Sequence, residues 1–423
     1  MILTEFPPRI GGMQTHAIYL AQALHQKGYD IQVITLRSVN EEQESRCLAF
    51  DASLPFPVKR ILSRIGYEHN IKLLIRQCQT FTPSLLYAST VFYGKVATAT
   101  NIPMICRSVG NDVLRPWIVY PFKPLSRVVS TKWFENHLYR FFQRLNYPEP
   151  IEMIWRSRRK KLMVESAREI ELILANSQFT ADLLSDIGVV KTHVEIITGG
   201  VDSSRFSAGP SNPSLRQALG IPPDRFVLMT ACRMVRKKGV DFLITEMPRL
   251  IEKIPDAHLL VVGTGRHYRK FKTMAKKSPA ADHITFAGKI AHNDIQQYYR
   301  VADIFVLASR IQIDTRTGVR DAETMGRVLC EANAAGIPIV AGRSGGIPSV
   351  IQHGINGLLF TPDDMDDLCR CIVSIRSSVD LAQTLHDNGL RLAKEEFDWS
   401  VIIQKHEALF QRVITQRSTI STS

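Results

Sequence analysis

Apolar runs of strand length alternate with longer amphipathic stretches almost from end to end of this chain, and nothing else in the sequence restricts its fold as strongly. Such a rhythm reads as βαβ units. Parallel strands need a crossover to reach one another, and a helix of this length supplies it. In the first half, strands are expected at 2–5, 31–35, 85–88, 104–108 and 172–176. A turn-rich loop at 7–12 leads into a helix at 15–27 with Ile18, Leu20, Ala21 and Leu24 on its apolar side, and Gly28 ends it. The pattern restarts with strands at 226–231, 258–262, 284–286, 304–308, 338–341 and 358–360, and with helices such as 240–254.

A length of 423 residues exceeds what one core usually supports. The expected fold class is therefore α/β, with two doubly wound, Rossmann-like domains facing across a cleft. Residues 1–204 form the first and 205–396 the second, divided at the Ser-, Gly- and Pro-rich stretch 203–213, which is taken as a linker. A helix at 397–415 is expected to cross back to the first domain, with a disordered tail at 416–423. Ligands of such sheets bind outside the carboxyl ends of the strands.

Apolar residues at 45% and charged residues at 22% exclude wholesale disorder. The net charge of +13 implies an anionic partner, which a nucleotide sugar, an anionic bilayer or a nucleic acid would each satisfy. Seven cysteines without a CxxC pair fit reduced cytosolic thiols. No apolar run has membrane-span length and no signal-like segment opens the chain, so a cytoplasmic protein is expected, with peripheral attachment to the inner face of the cytoplasmic membrane as the variant.

The strongest chemical signal is the run Asp321-Ala-Glu323-Thr-Met-Gly326-Arg-Val-Leu-Cys-Glu331. A polar loop carries Glu323, Gly326 permits close backbone approach, and the helix that follows opens with free N–H groups suited to phosphate. Glu331 lies more than one turn inside that helix, where a carboxylate can accept two ribose hydroxyls, while Glu323 can face a sugar. Alone, the pair also fits two solvated glutamates at a helix start. Downstream, Gly345-Gly346 at a strand end either lets a polar ligand reach backbone amides or makes a tight turn.

Arg233 to Gly239 follows a strand at the crevice end, where Arg233 and Lys238 can neutralise a leaving diphosphate; a solvated basic turn is the alternative. Gly263-Thr264-Gly265 is a weak GxG without the acidic residue of a dinucleotide site, and Gly11-Gly12 either touches phosphate or turns the chain. Asp364-Met-Asp366 spells a DxD, but acids at a helix start are expected from the dipole, so no metal is assigned. Between 115 and 161 ten aromatic residues, including Trp117, Trp133 and Trp155, are interleaved with Arg and Lys. That stretch suits an anionic membrane surface, or else is a helical insertion with core aromatics; nucleic acid is not expected.

Taken in order, Phe6 to Gly12, Ala175 to Ser177, Gly199 to Asp202, Arg233 to Gly239, Gly263 to Gly265, Phe286 to Gly288, Glu323 to Glu331 and Gly345 to Pro348 resemble glycosyltransferase family 4, whose E-x7-E motif Glu323 and Glu331 reproduce. The resemblance covers most of the chain and implies the GT-B fold. It further implies that Arg233 and Lys238 hold the diphosphate of a nucleotide-sugar donor, Glu331 its ribose and Glu323 the transferred sugar. Backbone near Gly11, Gly12, Gly263, Thr264, Met325 and Gly326 would contact the donor, with Ile290 beside the base. Transfer of a hexose to a glycan or lipid-linked acceptor, retaining configuration and using no metal or other cofactor, would follow by front-face attack. One departure stands out. The family's His-Gly-x-Asp turn is Val109-Gly110-Asn111-Asp112 here, so no catalytic His occupies this point, while Asp112 remains to orient donor or acceptor.

Two other classes compete with the transferase. A sugar-nucleotide hydrolase or epimerase of the same shape would need an acid/base pair that the sequence does not display. A catalytically silent sugar-nucleotide or membrane-binding module fits Val109 but not the intact Glu323, Arg233 and Lys238.

Overall fold

A computed structural model describes the chain except residues 9–10, 39, 65, 115–130, 138–148, 191–192, 210–211, 292, 314, 316–317, 319 and 422–423, and the side chains of 111, 149–157 and 418–421. The fold divides into two compact units, Met1–Ile197 with Asp314–Val319 and Ile403–Ser423, and Thr198–Ile313 with Arg320–Ile402.

The first unit is built on seven strands: β1 (Ile2–Leu3), β2 (Val33–Leu36), β3 (Val58–Leu62), β4 (Leu86–Ala88), β5 (Met104–Ser108), β6 (Leu172–Ala175) and β7 (Val194–Ile196). They pair in parallel in the order β3-β2-β1-β4-β5-β6-β7. Helices on both faces make the central strands continuous apolar runs, as in Leu-Ile-Leu-Ala of β6, buried throughout.

The second unit contains β8 (Phe226–Ala231), β9 (Ala257–Val262), β10 (Ile284–Gly288), β11 (Ile304–Leu307), β14 (Ile339–Gly342) and β15 (Leu358–Phe360), all parallel in the order β10-β9-β8-β11-β14-β15. A separate ribbon pairs β12 (Gln312–Ile313) with β13 (Arg320–Asp321). Both sheets have the doubly wound order, with a switch point between β1 and β4 in one and between β8 and β11 in the other. This is the two-domain architecture expected of the GT-B fold. The helix Val240–Lys253 shows how the sequence enforces it: Val240, Leu243, Ile244, Met247 and Leu250 recur at helical spacing and are all buried.

Two expectations need correction. Residues 203–213 are not a bare linker, because Phe206 is 2% exposed in the core of the second unit and meets Tyr299 edge-on at 5.7 Å. The boundary falls earlier, at Ile197/Thr198. The last helix spans Trp399–Ser421, through most of the stretch expected to be a disordered tail. An ion pair from Arg417 to Glu171 at 2.6 Å holds that end. Further up the helix, His406 is fully buried with its ring 5.0 Å from His16, and Phe410 meets Tyr87 at 5.7 Å.

Candidate functional site

The residues singled out in the second unit gather at the carboxyl edge of its sheet, around the β8/β11 switch point. The loop after β8 carries Arg233, Lys237 and Lys238, and three backbone bonds lace it to the turn after β9: Cys232 N–H to Val262 O (3.1 Å), Met234 N–H to Thr264 O (2.9 Å) and His267 N–H to Met234 O (3.1 Å). Glycine is needed here for packing. A Cβ on Gly263, at φ +117, would sit 3.1 Å from the Cys232 carbonyl carbon, and one on Gly265 would lie 2.7 Å from Met234 N. The GxG turn thus braces the cationic loop. Thr264 between its glycines is exposed, and Ile290 beyond β10 packs half-buried on the core.

Lys238 donates a short hydrogen bond to Glu323 Oε2, with side-chain exposures of 12% and 14%. Beside it, Lys237 Nζ pairs with Asp321 Oδ1 at 2.9 Å and donates to Ala322 O at 2.8 Å. This second pair, which sequence reading missed, pins the Glu323 loop to the cationic loop. Burial alone would push the Glu323 carboxyl up, but Lys238, Lys237 and the exposed Arg233 together hold it below the usual carboxylate range. Glu323 is therefore an anion inside a cationic frame.

The glycine turn after β14 proves to be part of the same support. Gly346 N–H donates to Glu323 O at 2.8 Å, and a Cβ on Gly345, at φ +55, would lie 3.1 Å from the Glu323 carbonyl carbon and closer to its oxygen. The Gly346 amide is therefore spent on Glu323.

Gly326, at φ +88, opens the helix Arg327–Ala334. Met325 before it is buried, its sulfur 3.0 Å from Gly199 N. Glu331 on this helix is 4% exposed and does not stand open to solvent. It accepts from the Tyr299 hydroxyl at 3.0 Å on Oε2, and Arg327 Nε lies 3.4 Å from Oε1. Nothing in the motif pointed to Tyr299, which arrives from the helix Ile295–Tyr299.

In the first unit, Gly12 opens the helix Gly12–Gln26, whose first turn has no acid and no side-chain cap. The Ser108 hydroxyl at the end of β5 donates to Asp112 Oδ1 at 2.9 Å. Asp112 is 3% exposed, its Oδ2 has no partner among the described residues, and burial pushes its carboxyl up to about 6 despite that hydroxyl and nearby backbone N–H groups.

The DxD has a structural role: Asp364 Oδ1 caps the helix Met365–Ser377 through Asp367 N at 3.0 Å, and Asp366 pairs with Arg249 at 3.1 Å. Among the described residues no three His, Cys, Asp or Glu side chains cluster as metal ligands, and no helix is long and apolar enough to cross a membrane. All seven cysteines are free. Of the aromatic insertion, Trp117, Tyr120, Phe122, Tyr139, Phe141, Phe142, Tyr147 and the Trp155 side chain lie outside the described residues. The described part is anchored by buried Glu135, which accepts from Arg37 at 2.6 Å and from the Arg64 backbone at 2.7 Å, while Trp133 is 70% exposed.

Residues 10–205 match the model for Glycosyltransferase Family 4, and residues 211–391 match that for Glycosyl transferases group 1. The GDP-mannose-dependent alpha-(1-6)-phosphatidylinositol monomannoside mannosyltransferase of Mycobacterium tuberculosis is 30% identical over 50% of this chain, a match spanning 54% of that protein, about half its length. The GDP-mannose-dependent monoacylated alpha-(1-6)-phosphatidylinositol monomannoside mannosyltransferase of Corynebacterium glutamicum is 26% identical over 97% of both chains. Among solved structures, Anabaena Alr3699/HepE in complex with UDP aligns with a TM-score of 0.72 at 19% identity, covering 97% of this chain and 99% of that one. Sucrose-phosphate synthase from Thermosynechococcus elongatus aligns at 0.70 with 17% identity over 98% and 99%. At these identities the structural likeness is one of fold. With the ordered motifs and both family models in agreement, this chain belongs to glycosyltransferase family 4.

Proposed function

We propose that the protein is a retaining hexosyltransferase that moves a sugar from a nucleoside diphosphate donor to a glycan or lipid-linked acceptor in glycolipid or surface polysaccharide synthesis. One observation carries the reading: at the switch point of the second sheet, Lys238 pairs with an ionised Glu323 whose backbone and side chain are both held, and Lys237 and then Arg233 add to the positive field around it. The cations meet the charge that builds on the diphosphate as the bond from the anomeric carbon breaks, which is the main electrostatic demand of the step. Lys238 has three donors, so it can keep Glu323 and still reach a phosphate oxygen. Glu323 accepts hydrogen bonds from hydroxyls of the sugar, and Glu331 binds the ribose. The acceptor hydroxyl attacks the face from which the diphosphate leaves and passes its proton to the departing phosphate oxygen. No residue of this scheme needs a metal.

The names of the two actinobacterial relatives make GDP-mannose the first donor to try and a mannosylated phospholipid the first acceptor class. A cytoplasmic protein resting on an anionic membrane face through Trp133 and the basic residues around it completes the reading.

Variants at the two glutamates test the scheme. Glu323→Ala should abolish transfer and leave nucleoside diphosphate affinity near wild type, whereas Glu331→Ala should weaken donor binding. Wild-type transfer in both variants would sink the assignment.

A further inference from the structure

Tyr299 is fully buried, stacked on Phe305 with centroids 5.5 Å apart and edge-on to Phe206. Its hydroxyl reaches Glu331 Oε2 at 3.0 Å, and Arg327 approaches the other oxygen. A carboxylate offers about four lone-pair sites over its two oxygens. The Tyr299 hydroxyl meets one site on Oε2 and Arg327 forms an ion pair with Oε1, so acceptor capacity remains on both oxygens for incoming donors. Two vicinal hydroxyls can use both at once only if the carboxylate plane is fixed. Rotating that plane would break the Tyr299 bond to Glu331 and leave the buried phenol only the longer contact to the Val328 carbonyl, at 3.4 Å. Burial, and then the Glu331 charge, pushes the phenol far above its ordinary value, so it remains a donor at any working pH.

We propose that Tyr299 is a positioning residue which, with Arg327, sets the Glu331 carboxylate in the orientation that receives the 2′- and 3′-hydroxyls of the donor ribose. This rests on the donor-site reading above. Phe206 packs edge-on to the Tyr299 ring and carries no group that can hydrogen-bond a carboxylate, and so separates packing from orientation.

The test compares affinities for GDP and UDP with those for 2′-deoxy-GDP and 2′-deoxy-UDP. Wild type should favour the ribose form of its preferred nucleotide by at least about tenfold, because a site built to bind a hydroxyl penalises its absence. In Tyr299→Phe that preference should fall below about threefold, and donor KM should rise about tenfold while kcat falls less than about threefold, the pattern of lost binding remote from the reacting bond. Phe206→Leu should keep the wild-type preference. Should Tyr299→Phe not fold, Arg327→Gln carries the same prediction. A wild-type preference in Tyr299→Phe or Arg327→Gln, with the preference lost in Glu331→Gln, would overturn the positioning role alone. A preference that survives Glu331→Gln would overturn the ribose role of Glu331 and the donor-site reading with it.

Discussion

Replacing Gly345 by alanine should damage catalysis by displacing the backbone of Glu323. Gly345 has φ +55, and its added Cβ would press on the carbonyl of Glu323, 3.1 Å from the carbon and nearer the oxygen. Left-handed backbone costs a residue with a Cβ about 1 kcal/mol. Relieving the contact to an ordinary C···O distance requires roughly 1 Å of movement. That movement pulls Glu323 O from the Gly346 N–H, now at 2.8 Å, for a further loss of about 1 kcal/mol. A total of about 2 kcal/mol should lower the Tm by about 4–8 °C in a domain of this size. The larger effect should be on rate, since misplacing a positioned group by about 1 Å can cost about 100-fold. Gly354→Ala is the control: φ there is +80 and a Cβ meets nothing within 4 Å, so it carries the strain without the displacement. Thermal melts and donor-saturated transfer rates on both variants provide the assay. A Gly345→Ala enzyme with kcat within about threefold of wild type would refute the idea that this turn positions Glu323.

Lys238→Met should strand Glu323 as an unpaired buried anion, costing about 3–5 kcal/mol and most of the transfer activity, as measured by urea melts and rate. Because pairing holds the folded Glu323 carboxyl below its unfolded value, its contribution is present above the unfolded pKa and lost as pH falls through the folded one; melts across the acid range should show that loss in wild type and not in Lys238→Met. Asp112 has the opposite sign. Its carboxyl is raised from 3.8 to about 6, so stability should decline by up to about 3 kcal/mol as pH rises through that interval, and Asp112→Asn should flatten the decline. The full chain should sediment with phosphatidylglycerol vesicles at about 0.1 M salt and release near 1 M, with Trp133→Ala binding more weakly; equally poor binding to neutral and anionic vesicles would contradict a membrane role.

The fold was legible because both sheets are buried on both faces, so their strands stand out as uninterrupted apolar runs. Short or half-exposed elements were not. β3 is Val-Lys-Arg-Ile-Leu and only its last residue is buried, so it gives no such run. The stretch at 203–213 has turn composition, and one buried Phe206 is too little signal to mark it as core. Spacing along the chain singled out Arg233, Lys238, Glu323 and Glu331 as candidates, and the structure brings Lys238 and Glu323 into contact. What spacing cannot show is how residues far apart in sequence spend their bonding capacity. Gly346 gives its amide to Glu323, Lys237 ties down Asp321, and Tyr299 occupies Glu331 from across the core. Those partners emerge only when the loops after β8, β11 and β14 and the helix before β11 are brought side by side.

The most direct measurement is an equilibrium titration of wild type and Arg233→Ala with GDP, UDP and the matching monophosphates. If the loop after β8 holds a donor diphosphate, wild type should bind one diphosphate at least about tenfold more tightly than its monophosphate, and Arg233→Ala should lose most of that difference. Equal affinity of wild type for diphosphate and monophosphate, or the same difference retained in Arg233→Ala, would contradict the account.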